Sequence, residues 1–203
     1  MKPSSTPHHL LFAPIFYWVV LIGAITGFSQ TAQCQLAPFN IAIEPIEIDG
    51  LGGLQSYAVG QHDGKWLIAG GRLDGLHRRQ PWAAFDLAGH NNQLIVVDPE
   101  NMQSWSAPLS ALPEAMAEQL RSTNLEFHQN GEYLYVVGGY GISDLENDHI
   151  TFNLLTAIHL PGAIEAVINA TDLNPHFRSV ENEQFRVTGG HLNKIGDTYY
   201  LVG

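Results

Sequence analysis

Apolar and polar positions along this chain fall into a pattern that occurs three times. Gly64 to Gly71 reads GKWLIAGG, Gly131 to Gly139 reads GEYLYVVGG, and Gly196 to Gly203 reads GDTYYLVG. Each copy is a turn glycine, a run of β-formers and a closing glycine. The leading glycines lie 67 residues apart (131 − 64) and then 65 apart (196 − 131). Self-similarity at a near-constant period marks a repeat architecture. The pattern predicts three hairpins. Leu54 to Gln61 pairs with Lys65 to Ala69 through the turn at His62-Asp63-Gly64, and Asn124 to His128 pairs with Tyr133 to Val137 through Asn130-Gly131. Phe185 to Thr188 leads through Gly189, Gly190 and Gly196 to Tyr199 to Val202. Asp-Gly and Asn-Gly suit such turns because they accept positive φ.

Further strands are predicted at Leu94 to Val97, turning at Asp98 to Asn101 back toward Trp105, and at Leu155 to Ile158. Two short helices fit between strands. In Pro113 to Leu120, Leu112, Met116 and Leu120 share one side at helical spacing. In Pro161 to Ala170, Ile164, Val167 and Ile168 face the core. Upstream, Ile41, Ile43, Ile46 and Ile48 alternate with polar positions and Pro45, which predicts an edge strand over Phe39 to Ile48 leading into Gly50, Gly52 and Gly53.

A hydrophobic strand ending in a double glycine, a long loop, a second strand and a spaced tryptophan resemble the Kelch repeat. Here these are Trp66 to Gly71, Leu94 to Val97 and Trp105, with Tyr133 to Gly139 and Leu155 to Ile158 in the second copy, which lacks an obvious tryptophan. The resemblance covers Leu54 to Gly203, and is closest to secreted bacterial Kelch-type proteins with a C-terminal sorting domain. It implies an all-β fold, a β-propeller with short helices in its connections. Repeats at 54–123, 124–183 and a truncated 184–203 would supply about two and a half blades of an incomplete ring.

The first 34 residues change the picture of compartment. Lys2 precedes an uncharged run from Leu10 to Phe28, and polar residues follow, as in a secretory signal peptide. Residues 1–34 are expected to be removed, leaving 35–53 as a lead-in and a secreted or surface-attached protein with no membrane insertion. The same run is also long enough to serve as an uncleaved anchor. Cys34 is the chain's one cysteine, so cleavage after it leaves none. Lys2 is also lost, and 8 basic residues then face 20 acidic ones, a net charge of −12 (8 − 20). Such acidity argues against nucleic acid as a partner.

In an antiparallel meander the second-to-third-strand (B–C) connections share one end with the inter-repeat loops. The first B–C loop, Arg72 to Asn92, is long, and Tyr140 to His149 is moderately so; loops held by a rigid scaffold carry function. Arg72, Arg78 and Arg79 cluster there with His77, Trp82 and Phe85. Arginine forks suit carboxylate, phosphate or sulfate, and aromatic faces suit sugar rings. Arg72, His77, Arg78, Arg79 and Trp82 are therefore the candidate ligand-binding residues, for a glycan or protein partner. The structural alternative is that Arg72 and Arg78 pair with Asp74 and Asp86 and fix the loop. No histidine or cysteine spacing suggests a metal, and Asp144, Glu146 and Asp148 match no complete calcium loop. No cofactor is predicted. The resemblance also admits an extracellular carbohydrate-active enzyme (oxidase, lyase or epimerase) with its catalytic residues on other blades. The copper site of galactose oxidase-type enzymes needs a cysteine cross-linked to tyrosine, which 35–203 lacks. Trp66, Tyr133 and Tyr199 are expected to pack between repeats.

Overall fold

The computed structural model describes residues 39–75 and 84–202. The chain divides after Pro45. On either side of that division, residues 39–48 form no strand, and Phe39, Ile41, Ile43 and Ile46 are exposed. The expected edge strand is thus absent. Pro45 can donate no ladder hydrogen bond, and alternation alone makes no strand without a partner.

From Ile46 onward the chain is mostly antiparallel sheet. β1 (Ala58–His62), β2 (Lys65–Ala69), β3 (Gln93–Asp98) and β4 (Gln103–Pro108) form a four-stranded meander in that order. Helix α1 (Glu114–Leu120) leads to β5 (Glu126–Asn130) and β6 (Tyr133–Val137). A separate hairpin, β7 (Tyr140–Ser143) and β8 (Asp148–Thr151), precedes β9 (Leu154–His159), helix α2 (Leu160–Asn169) and β10 (Phe177–Glu181). The second sheet has the order β10-β9-β6-β5, the same succession as the first once the hairpin is set aside. β11 (His191–Ile195) and β12 (Thr198–Val202) form a last hairpin.

The two four-stranded sheets share one core. Leu67, Ala69, Leu94 and Val96 from the first sheet and Leu134, Val136 and Ile158 from the second are fully buried in it, with Leu160, Ala163, Ile164 and Val167 of α2. Period-two alternation explains the strands, because each gives its odd or even residues to this layer. The predicted helix faces hold: Leu112, Met116, Leu120, Ile164 and Val167 are buried. Gln119 ties α1 to the second sheet. Its side-chain amide donates to the Leu154 carbonyl at 2.8 Å and accepts from the Thr156 hydroxyl at 2.6 Å.

Pairing corrects the alignment of the repeats. Lys65, Tyr133 and Thr198 each open a second strand opposite His62, Asn130 and Ile195. The first turn residues are therefore Asp63, Gly131 and Gly196, all left-handed at φ +48°, +60° and +59°. Gly64 is the second turn residue, so matching glycine to glycine misplaces the first copy by one. Trp66 is equivalent to Leu134 and Tyr199. This position faces back toward the preceding sheet. Leu134 lies against Gly60 of the first sheet, and the Tyr199 ring meets Tyr135 and His128 of the second. Tyr199 packs between repeats as expected. Trp66 is 38 % exposed, and Tyr133 is 44 % exposed with ring neighbours Tyr135 and His159 on its own sheet.

Equivalent backbone bonds link the copies. The Asn124 amide donates to Ser56 and the Gly189 amide to Asn124; the Gly71 amide donates to Ser122 and the Gly139 amide to Val187. They also explain why Phe185 to Thr188 is no strand. Val187, Thr188 and Gly189 spend their polar groups on the second repeat, and the Gly190 amide is taken by the Glu126 carboxylate. The first strand of that hairpin begins at His191 instead. β10 and the β7–β8 pairing were not foreseen in the sequence. Among the described residues no helix is long and apolar enough to cross a membrane; the expected signal peptide lies outside them.

Candidate functional site

Meander geometry places the end of β2, the start of β3 and the end of β4 at one edge of the first sheet. The long loop after β2, the α1 connection and the β7–β8 hairpin gather there. Gly71 is followed by Arg72 and Gly139 by Tyr140, and the two are structural equivalents: Arg72 bridges Gln55 and Tyr140 bridges Thr123.

Arg72 also bridges His90, which closes its loop. Its side chain is only 2 % exposed, and its fork is filled. Nε and Nη2 donate to the two Asp74 carboxylate oxygens at 2.8 and 2.6 Å, and Nη1 donates to the Asp86 carbonyl at 3.1 Å. The Arg72 hydrogen bonds hold the Asp74 carboxyl below its usual range. The guanidinium stands 5.6 Å from the Phe85 ring centre. Of the candidate residues, Arg72 is thus a buried fixture of the loop base, as its structural reading anticipated. His77, Arg78, Arg79 and Trp82 lie outside the described residues. Replacing Arg72 with Ala should cost about 2 kcal/mol in urea unfolding. A broken buried pair costs about 3 to 5 kcal/mol, less here because both aspartates can turn to water. Arg72→Lys should recover little, since an ammonium cannot fill the fork.

The two long connections meet through rings. Phe85 stands edge-on to Tyr140 at 5.3 Å, and Tyr140 stacks on His149 at 6.0 Å. Phe85 and Tyr140 are half-buried and His149 is exposed. Beneath them His90 is 3 % exposed. Neither of its ring nitrogens has a hydrogen-bond partner among the described residues, nor do Arg121 Nε and the Ser122 hydroxyl. Burial, reinforced by the Arg72 and Arg121 charges, pushes the His90 pKa down to about 4, so the ring is neutral at pH 7.

α1 clamps the hairpin from the other side. Arg121 Nη2 pairs with Asp144 at 2.7 Å and donates to the Ile142 carbonyl at 3.0 Å. The buried Glu118 carboxylate accepts from the Ser143 hydroxyl and the Asp144 amide, both at 2.6 Å. Asp144, Glu146 and Asp148 are exposed, and Asp144 is committed to Arg121. Among the described residues no three histidine, cysteine, aspartate or glutamate side chains are grouped to hold a metal ion.

Sequence reasoning found the connections but not His90, Ser122 or the role of Tyr140. A usable signal was present: the residue immediately after each double glycine, Arg72 and Tyr140, anchors this end. No family model matches the chain, and no curated protein matches it.

Proposed function

We propose that the protein is an exported Kelch-type β-propeller that binds a glycan at the end bearing Arg72 and Tyr140. The propeller reading is supported by two four-stranded meanders of one order sharing a core. It is supported too by the contact of β1 with β5 and of β5 with β11, as first strands grouped around an axis require. The export reading rests on the charge and hydropathy of residues 1–34.

The observation that carries the binding reading is the Phe85–Tyr140–His149 ring group. Two connections from different repeats converge to build it, and a saturated polar base of Arg72, Asp74 and Asp86 fixes its position. Partly exposed rings, two of them here with polar atoms, on connections held by rigid sheets are a common recognition surface. Arg78, Arg79, His77 and Trp82 stand between Arg72 and Asn92 in the sequence and are proposed as further ligand contacts on that ground.

The test is glycan binding by the full chain, measured by calorimetry against a defined oligosaccharide panel. Tyr140→Ala should weaken the best ligand about tenfold, the equivalent of one lost ring contact of about 1.4 kcal/mol, with the fold unchanged by circular dichroism. The pair Arg78→Ala and Arg79→Ala should weaken it as well. A panel without any ligand, or affinity indifferent to Tyr140, would overturn the reading.

A further inference from the structure

A groove of about 490 Å³ is bounded by α1, the start of β3 and the end of β4, with Asp144 of the β7–β8 hairpin in its lining. That volume falls in the range that small ligands and single sugar rings occupy, about 300 to 1,000 Å³. Its lining combines aliphatic residues, Pro108, Leu109, Leu112 and Ala117, with the polar residues Asn92, Gln93, Ser110 and Asp144. Amides and hydroxyls both donate and accept, so this lining matches a polyol rather than a ligand of one polarity.

The charge of the groove narrows the ligand. Glu114, Glu118 and Asp144 line it against one cation, Arg121. Arg121 Nη2 is already committed, at 2.7 Å from Asp144 and 3.5 Å from Glu118. An arriving carboxylate or sulfate would meet three carboxylates against one guanidinium, whose Nη2 is taken. We infer that this groove seats a neutral sugar ring of the bound glycan, its C–H face on the leucines and Pro108 and its hydroxyls on the amides and carboxylate, and that it rejects uronates and sulfated sugars. The inference rests on the glycan reading above and specifies its substrate class. One element connects the two regions: the β7–β8 hairpin carries Tyr140 and His149 on its strands and Asp144 at its tip.

Two probe sets test it with the full chain by saturation-transfer NMR and calorimetry. One holds neutral gluco-, galacto- and manno-oligosaccharides; the other holds oligogalacturonate and chondroitin sulfate. At least one neutral probe should bind at least tenfold tighter than either anionic probe. Ala117→Phe, which fills the groove, should weaken that probe at least tenfold. Should Ala117→Phe fail to fold, Ser110→Trp at the exposed rim tests the same point. Preference for an anionic probe overturns the inference and leaves the glycan reading standing. So does neutral binding that Tyr140→Ala removes but both groove variants spare. Binding to neither set defeats both.

Discussion

Between pH 6.5 and pH 4 the protein should lose about 3 kcal/mol of stability that a His90→Leu variant retains. The cause is an imidazole that cannot accept a proton where it sits. His90 is buried, has no hydrogen-bond partner at either nitrogen among the described residues, and feels the Arg72 and Arg121 charges. Its folded pKa of about 4 lies well below its ordinary 6.5. The sign follows from which state takes up the proton first. Below pH 6.5 the unfolded chain protonates this histidine, while the folded chain does not until about pH 4. The His90 contribution is therefore full above pH 6.5, is lost through the window and changes no further below it. About 1.4 kcal/mol per pKa unit gives the stated magnitude. Asp74, Asp98 and Asp172 also sit below their ordinary range, but their ordinary value is 3.8 and their losses begin lower. The difference between wild type and His90→Leu in urea unfolding, measured at steps from pH 7 to pH 4, isolates the histidine. Parallel curves for the two proteins would mean that His90 is hydrated or partnered in solution.

The sequence revealed this end of the molecule better than the residues that matter in it. β2 and β6 appear with the bounds their periodicity predicts, Lys65–Ala69 and Tyr133–Val137, because a period of two and flanking glycines are local signals. Both helices are also where proline and apolar spacing place them. Non-local features escaped. The one-residue offset between the first copy and the others depends on which turn residue adopts positive φ, and in the first copy Asp63 does so, at φ +48°, where the second has Gly131. Phe185 to Thr188 looks like a strand, yet its polar groups are spent on Asn124 and Gly139 of the preceding repeat. His90 is one histidine among ten in the sequence; the chain's return to Arg72 and the approach of Gly141 to its ring are tertiary contacts that no local pattern shows. Arg72 was found by its company, and the same company, Asp74, neutralises it.

Gly138→Ala should destabilise the protein by about 3 kcal/mol or more, whereas Gly131→Ala should cost about 1 kcal/mol. The comparison separates two demands for glycine at nearly the same backbone angle. Gly138 has φ +64° and Gly131 φ +60°, so both pay the left-handed penalty of a β-carbon. At Gly131 the added carbon has nothing within 4 Å. At Gly138 it would collide with the Val187 carbonyl oxygen and lie 3.0 Å from that of Phe185. These are backbone atoms, which cannot swing aside like a side-chain end, so the chain at 185–187 must lift. That lift would break the bond from the Gly139 amide to Val187 and loosen the seating of Gly189 and Gly190 on Asn124 and Glu126. The damage should therefore extend beyond the site. In Gly138→Ala, amide exchange should accelerate across β11 and β12, the hairpin that these bonds anchor, while β2 and β3 in the first sheet keep their protection. Equal losses of stability in the two variants would show that the repeats do not meet this closely. The double glycine is then a contact between repeats, and the site at Arg72 and Tyr140 inherits its position from it, since each of those residues directly follows such a pair.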